Sequence, residues 1–500
     1  MTARWRALAV IAGLLFVAAA PADPVDKRSP ALASAVRSAS HGRTHIAWVF
    51  FTDKGAETAA AAPLTARAIA RRRVRARMAG GGFEDAPLAA RHVDRVGGIV
   101  NRVRQRSRWL NAVSVEATAA QLDQVAALPF VARLDVVRRY RRRALEPVAP
   151  EPAARPRSGS ARPTGRGKGA FELDYGSSLG QLAQIGVPAV HQMGWNGEGV
   201  VVAVFDTGFD TLEHEVFSSM RIAAAHDFVN GDPDVANGGD AGEGSHGTMT
   251  LSALGGLAEG QLVGPAFRAD FILAKTENTD SETPVEEDNW AAAAEWAEAL
   301  GADVISSSLG YLQYDSPFPS YTPGDMNGQT AISTRAAEMA AARGVVVVSS
   351  AGNGGLDATS NTLGAPADGA HVLAIAAVTA SGTRASFSSV GPSADGRVKP
   401  DFAAQGQAVR VALPGTVNRY GTANGTSFSC PLTAGVVALL VQLNPAASVD
   451  DVAGVLRATS SQAGAPDRLL GWGIVNAHAA AAAWMPAAAV EGVPASRYSK

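Results

Sequence analysis

The chain has 500 residues, 47% hydrophobic and 18% charged, which excludes a disordered protein and exceeds what one ordinary core accommodates. The net charge of −2 conceals an asymmetry: residues 1–169 carry 30 Lys/Arg against 12 Asp/Glu, a net of +18, and residues 170–500 carry the remaining 14 against 34, a net of −20. Halves of opposite sign suit either a basic arm for nucleic acid or two parts that attract each other, and the single cysteine excludes an intrachain disulfide.

In chain order, the basic start "MTARWR", the apolar run "ALAVIAGLLFV" and the small residues of "AAAPAD" predict a secretory signal peptide over residues 1–22. The run is shorter than the ~20 apolar residues of a membrane span. No later stretch reads as one, so the expected location is secreted or periplasmic, with no membrane partner after signal removal. The segments His45–Thr52, Ala112–Thr118 and Val131–Val137 read as strands, and Ala119–Leu128 has helical spacing. They predict a small α+β unit over residues 40–144, closed by "RRYRRR". Residues 145–170, rich in Pro, Gly, Ser and Arg, read as an exposed, cleavable linker.

Over residues 171–485 the texture changes. "VVVAVFD", "DFILAK", "ADVISSS", "GVVVVSSA" and "HVLAIAAV" are continuous apolar runs, as in strands buried on both faces. Helical segments at Glu287–Leu300 and Gly328–Arg343 alternate with them. The fold class is therefore α/β, one large domain built on a mostly parallel sheet, with residues 486–500 as a tail.

Functional groups of such sheets collect at the carboxyl ends of the strands. Asp206 ends "VVVAVF", Asn353 follows "GVVVV", and His246 and Ser427 stand at predicted helix starts, the latter with Thr426 or Asn424 as a candidate cap. Each has a plainer reading alone: a turn aspartate, a left-handed turn asparagine, a surface or core histidine, a capping serine. Together they supply what acyl transfer needs. A serine hydroxyl requires a base within reach, an imidazole is one, and a carboxylate on the other ring nitrogen fixes its tautomer. An amide and a backbone N–H at a helix start can bind the oxyanion.

The motifs "VFDTGFD", "SHGT", "SSLG", "SSAGN", "KPDFAAQG" and "NGTSFSCPLTAGVVALL", in that order across roughly Tyr175 to Trp484, resemble the subtilisin-like serine proteases (subtilases), as does the closing "GWGIVNAHAA". The order Asp, His, Ser agrees with that family. The resemblance implies a subtilisin-like three-layer domain preceded by a small α+β propeptide that inhibits it, with a maturation site in the 145–170 linker. It implies a secreted serine endopeptidase made as a self-processing zymogen, with Ser427 as nucleophile, His246 as base, Asp206 orienting it and Asn353 at the oxyanion. Ser307, Ser308, Leu309 and Gly310 would pair with an extended substrate, and Ser350, Ala351 and Gly352 would wall the first specificity pocket. Partners would be protein or peptide substrates and the chain's own propeptide, acting on a monomer. A serine esterase or acyltransferase, or a non-catalytic binding protein on the same scaffold, are the alternatives.

The chain departs from the family in having Met249 and Thr250 after "HGT" and "FSCPLT" after the nucleophile, changes that touch no triad role. Ser429 and Cys430 are expected to point into the core. No cofactor is required for this chemistry. A structural calcium is left open at Glu215 or in the acidic stretch Asp227–Asp240, although "GLAEGQLVGP" does not match the family's ligand loop. "GSSLG" (Gly176–Gly180) spells a hydrolase motif without its strand. No aromatic-rich module accompanies the arginines, so a nucleic-acid partner is not expected. The charge asymmetry instead suits docking of a +18 segment on a −20 domain.

Overall fold

A computed structural model describes residues 26–38, 42–55, 64–78, 81–137, 149–150, 173–236, 244–278, 286–312 and 320–485. The signal-like segment, most of the linker and the tail lie outside these ranges.

The N-terminal unit comprises α1 (Pro30–Ser38), β1 (Thr44–Phe51), α2 (Ala66–Arg75), α3 (Ala90–Gly97), β2 (Arg102–Ser107), β3 (Ala112–Thr118), α4 (Ala119–Ala126) and β4 (Val131–Val136). Its strands form an antiparallel four-stranded sheet in the order β2-β3-β1-β4. Thr118 starts α4 through a capping box: its hydroxyl accepts from Gln121 N while the Gln121 side chain accepts from Thr118 N at 2.8 Å. The packing extends upstream of residue 40, since Leu134 N donates to Lys27 O at 2.8 Å and Leu32 and Ala35 enter the core.

After β5 (Ala149–Pro150) comes the C-terminal unit. It opens with α5 (Leu179–Gln184), α6 (Val187–Gln192), β6 (Val201–Asp206), β7 (Arg221–Asp227) and α7 (His246–Gly255). There follow β8 (Leu257–Ala258), β9 (Leu262–Val263), β10 (Asp270–Lys275), α8 (Glu286–Leu300), β11 (Val304–Ser307), α9 (Ile332–Ala342) and β12 (Val346–Ser350). The last elements are β13 (Val372–Val378), β14 (Phe402–Gln405), β15 (Val409–Ala412), β16 (Tyr420–Ala423), α10 (Thr426–Leu443), α11 (Val449–Thr459) and α12 (Ala477–Trp484). A seven-stranded parallel sheet runs β14-β13-β12-β11-β6-β10-β7. Alternate residues of β6 face opposite layers. Val202 and Val204 pack with Leu251 of α7 and Val436 and Leu440 of α10, whereas Val201, Ala203 and Phe205 pack with Trp290 and Ala294 of α8. Helix α10 has the length and hydropathy of a membrane span, contrary to the expectation that no later stretch qualifies, but it is buried in the domain as a core helix.

The N-terminal sheet forms a further layer on α8 and α9, in one apolar core that joins Trp48 and Val49 to Trp290, Ala294 and Ala336. Polar contacts fix that docking. Glu295 of α8 accepts from the Ser107 hydroxyl and from Arg108 N and Trp109 N, both at 3.2 Å. Arg343 lies 4.6 Å from the Trp109 ring centroid. Asp288 accepts from the Ser114 hydroxyl and from Arg104 Nε at 3.4 Å.

Candidate active site

Strand β6 delivers Asp206 to the carboxyl end of the sheet, fully buried. Helix α7 opens at His246, and Gly247 lets it close on β6: a Cβ there would stand 2.3 Å from Gly208 O and 3.0 Å from the Asp206 Cβ. The imidazole Nδ1 of His246 is 2.6 Å from Asp206 Oδ1, which also accepts from Thr207 N at 2.8 Å. The second carboxylate oxygen accepts from the Thr250 hydroxyl at 2.9 Å. Thr250 lies four residues beyond His246 on α7, so both face the carboxylate. Sequence reasoning registered Thr250 only as a departure; the i, i+4 spacing from His246 was the signal that could have found it.

Ser427 is the second residue of α10 and is nearly buried, as is His246. The Phe428 ring lies 5.5 Å from that of His246, which brings the start of α10 against the start of α7. The expected cap is corrected. The N-cap is Gly425 without a side-chain cap bond, because the Thr426 hydroxyl donates to Asn353 Oδ1 at 2.9 Å and Asn424 Oδ1 accepts from Ala408 N. Asn353 Oδ1 also accepts from Thr426 N at 3.0 Å. With its oxygen so engaged, the amide turns its nitrogen to the Gly425 side, 3.6 Å from where a Cβ of that residue would sit.

Pro431 lies inside α10 and has no N–H to give the Ser427 carbonyl, its partner four residues earlier. The Ser308 hydroxyl satisfies that carbonyl instead, at 2.8 Å, and the Ser427 hydroxyl donates to Ser308 O at 3.2 Å. The residue proposed to react is thereby tied to the segment expected to hold substrate. Ser350 Oγ donates to Leu309 O at 3.2 Å and Gly352 N to Thr426 Oγ1 at 3.2 Å, so Ser308–Gly310 and Ser350–Gly352 lie side by side next to α10. Ala351 of the second segment is buried, and its N–H goes to Ile375 O. Ser307 turns its hydroxyl to Trp290 Nε1 and its carbonyl to the Cys430 thiol, toward the core. In addition, β5 pairs antiparallel with β16, Ala149 opposite Thr422 and Pro150 opposite Gly421, on the strand that leads to Ser427.

Burial pushes the Cys430 thiol up to about 12, and its contacts are with Ser306, Ser307 and Val348. A thiol so protonated is inert. Ser429 donates back along its own helix to Thr426 O. Glu215 accepts from the Tyr420 hydroxyl at 2.9 Å, and Asp227 pairs with Lys275 at 2.9 Å. Among the described residues no group of three His, Cys, Asp or Glu side chains stands together to hold a metal ion. Gly176–Gly180 lies in a 3-10 turn and the start of α5, without the strand its motif would need.

Residues 197–473 match the model of the subtilase family, and residues 46–151 that of the peptidase S8 propeptide domain, Bacteroidota. The chain is 32% identical over 299 residues to subtilisin BL of Lederbergia lenta, covering 60% of this chain and 97% of that protein. It is 31% identical over 301 residues to subtilisin NAT of Bacillus subtilis subsp. natto, covering 60% and 70%. The structure of fervidolysin from Fervidobacterium pennivorans, a keratinolytic enzyme related to subtilisin, superposes with a TM-score of 0.61 at 21% identity, over 89% of this chain and 62% of that one, a likeness of fold. The chain belongs to the subtilase family of serine endopeptidases and carries an N-terminal propeptide of the peptidase S8 type.

Proposed function

We propose that Ser427 is the nucleophile of a secreted endopeptidase that matures itself. His246 takes the Ser427 proton as the hydroxyl attacks the peptide carbonyl, then delivers it to the leaving amine; water reverses the sequence and frees the acyl group. Asp206 holds His246 in the required tautomer, and Asn353 Nδ2 with the Ser427 N–H binds the oxyanion. The observation that carries this reading is the His246–Asp206 contact of 2.6 Å at the mouth of α10. Ser308–Gly310 and Ser350–Gly352 would hold an extended substrate on either side. The experiment is labelling with a fluorophosphonate: loss of casein cleavage with the adduct on Ser427 supports the reading, and an adduct elsewhere removes it.

The β5–β16 pairing supports inhibition in cis, because the chain leaving the propeptide lies along the strand that precedes Ser427. Export is proposed from the signal-like N-terminus, together with the extracellular work expected of such a hydrolase.

Thr250 is a positioning residue in this scheme. Thr250→Val is expected to lower kcat about ten- to hundredfold with little change in KM, the worth of a hydrogen bond to a charged group, and Thr250→Ser to recover most of it. Unchanged kcat in the valine variant would remove Thr250 from the account.

Propeptide affinity is expected to depend on pH through Glu295. Burial pushes its carboxyl up to about 7 in the complex, against the Ser107, Arg108 and Trp109 donors and the Arg108 charge. Freed of the propeptide, it returns toward its ordinary value of 4.5. Docking therefore takes up a proton, and affinity is highest below the free value and falls as pH rises, by up to about tenfold per unit until about 7. Burial also raises Asp288, which adds in the same direction. Titrating propeptide release against pH checks this, with Glu295→Gln flattening the profile; an unaltered profile contradicts it.

A further inference from the structure

Helix α2 inverts the usual amphipathic arrangement. Arg71, Arg72 and Arg75 are buried at 4%, 3% and 4% exposure, while Ile69 and Val74 stand at 47% and 50%. A solvated basic helix would show the reverse. The arginines enter the protease domain at the amino end of its parallel strands, where α8 and α9 finish. This is the opposite end of the sheet from Asp206 and Asn353, about 20 Å away by the length of a six-residue strand.

The receiving surface is built for guanidinium groups. Glu298, fully buried near the end of α8, accepts from Arg71, and from Arg72 at 2.7 and 2.6 Å. Asp303, just before β11, accepts from Arg67, and from Arg75 at 3.4 Å. Further guanidinium donors meet backbone carbonyls: Arg71 reaches Ala302 O and Arg343 O, Arg67 reaches Gly199 O and Gly301 O, and Arg75 reaches Ala447 O at 3.0 Å, while Arg72 Nη1 and Arg75 Nη2 are buried without a partner among the described residues. Helix carboxyl ends carry unpaired carbonyls and partial negative charge, which suits these cations. Gly301 clears the path, since a Cβ there would stand 2.9 Å from the Arg67 side chain. On the propeptide side, Asp85 ties Arg72, at 3.0 Å, to Arg343 of the protease domain, at 3.1 Å.

We propose that this surface is a second propeptide-binding site: a guanidinium socket at the amino end of the sheet that grips an arginine-bearing helix independently of the active-site cleft. It rests on the reading of this chain as a zymogen and deepens it. The socket would hold the N-terminal fragment through contacts separate from those at the cleft, so its substitutions alter retention of the fragment after the linker is cut. The partner is a helix with arginines at the spacing of 67, 71, 72 and 75, which the chain's own α2 supplies.

The test uses the full chain carrying Ser427→Ala, with a site for a specific added protease placed between residues 151 and 170. After that protease cuts, release of the N-terminal fragment is timed by gel filtration. Arg71→Met with Arg72→Met is expected to speed release about 100-fold, about 2.8 kcal/mol at about 1.4 kcal/mol per tenfold, because together they leave Glu298 buried without a cation. Arg67→Met, at a half-exposed position, is expected to speed it about tenfold, and it carries the test should the double variant fail to fold. Release rates within about twofold of the unsubstituted chain in the folded variants would overturn the socket. Because the cut comes from outside, the rates are read whether or not Ser427 is a nucleophile. A wild-type chain that never processes itself would sink the zymogen reading without touching this result.

Discussion

Ser427→Ala is expected to lower kcat/KM on a peptide substrate about a million-fold and to leave the propeptide attached. The magnitude is that measured in subtilisin, a member of the same family, when its nucleophile or its base is removed. The other hydroxyl and the thiol nearby cannot substitute. Ser429 is bonded within its helix, and burial keeps the Cys430 thiol protonated up to about pH 12. A variant retaining more than about a hundredth of wild-type activity would mean that another residue does the chemistry.

Asp206→Asn is expected to lower kcat about ten-thousand-fold at neutral pH while the fold persists. The carboxylate accepts from the His246 ring at 2.6 Å, from Thr207 N at 2.8 Å and from the Thr250 hydroxyl at 2.9 Å. An asparagine of the same shape can keep some of these bonds. If its NH2 faces His246, the ring must present an acceptor at Nδ1, and its proton then sits on Nε2, where the base should be empty. The imidazolium that forms would also lose its counter-charge. Steady-state kinetics on a chromogenic peptide measure this, and a loss smaller than about a hundredfold would contradict the role of Asp206. The Thr250 variants test the same carboxylate from its other side.

How much of this was legible in the sequence follows from what each residue must do locally. The buried strands announced themselves as apolar runs, and β1, β3, β4 and α4 of the propeptide by strand-like segments and helical spacing. Strand β2 did not, because "RVRQRS" is a half-exposed edge strand with one apolar residue. Strand β7, at the other sheet's edge, begins exposed for the same reason. The proposed catalytic set could be picked out because the chemistry proposed for it demands particular side chains at strand ends and helix starts. The Ser308 hydroxyl on the Ser427 carbonyl was not, although Pro431 signals that some donor must replace its missing N–H. The arginines of α2 were read only as net charge. Their burial depends on Glu298 and Asp303, more than two hundred residues away in sequence, and no local pattern distinguishes a buried guanidinium from a solvated one.

The measurement that bears most directly on the central claim is the mass and N-terminal sequence of the secreted wild-type protein beside Ser427→Ala. A wild type trimmed between about residues 143 and 175, next to a mutant that keeps its propeptide, is the predicted result; it would establish the nucleophile and self-processing together. Identical trimming of both proteins would contradict self-processing, and two untrimmed proteins without activity on casein would contradict the zymogen itself.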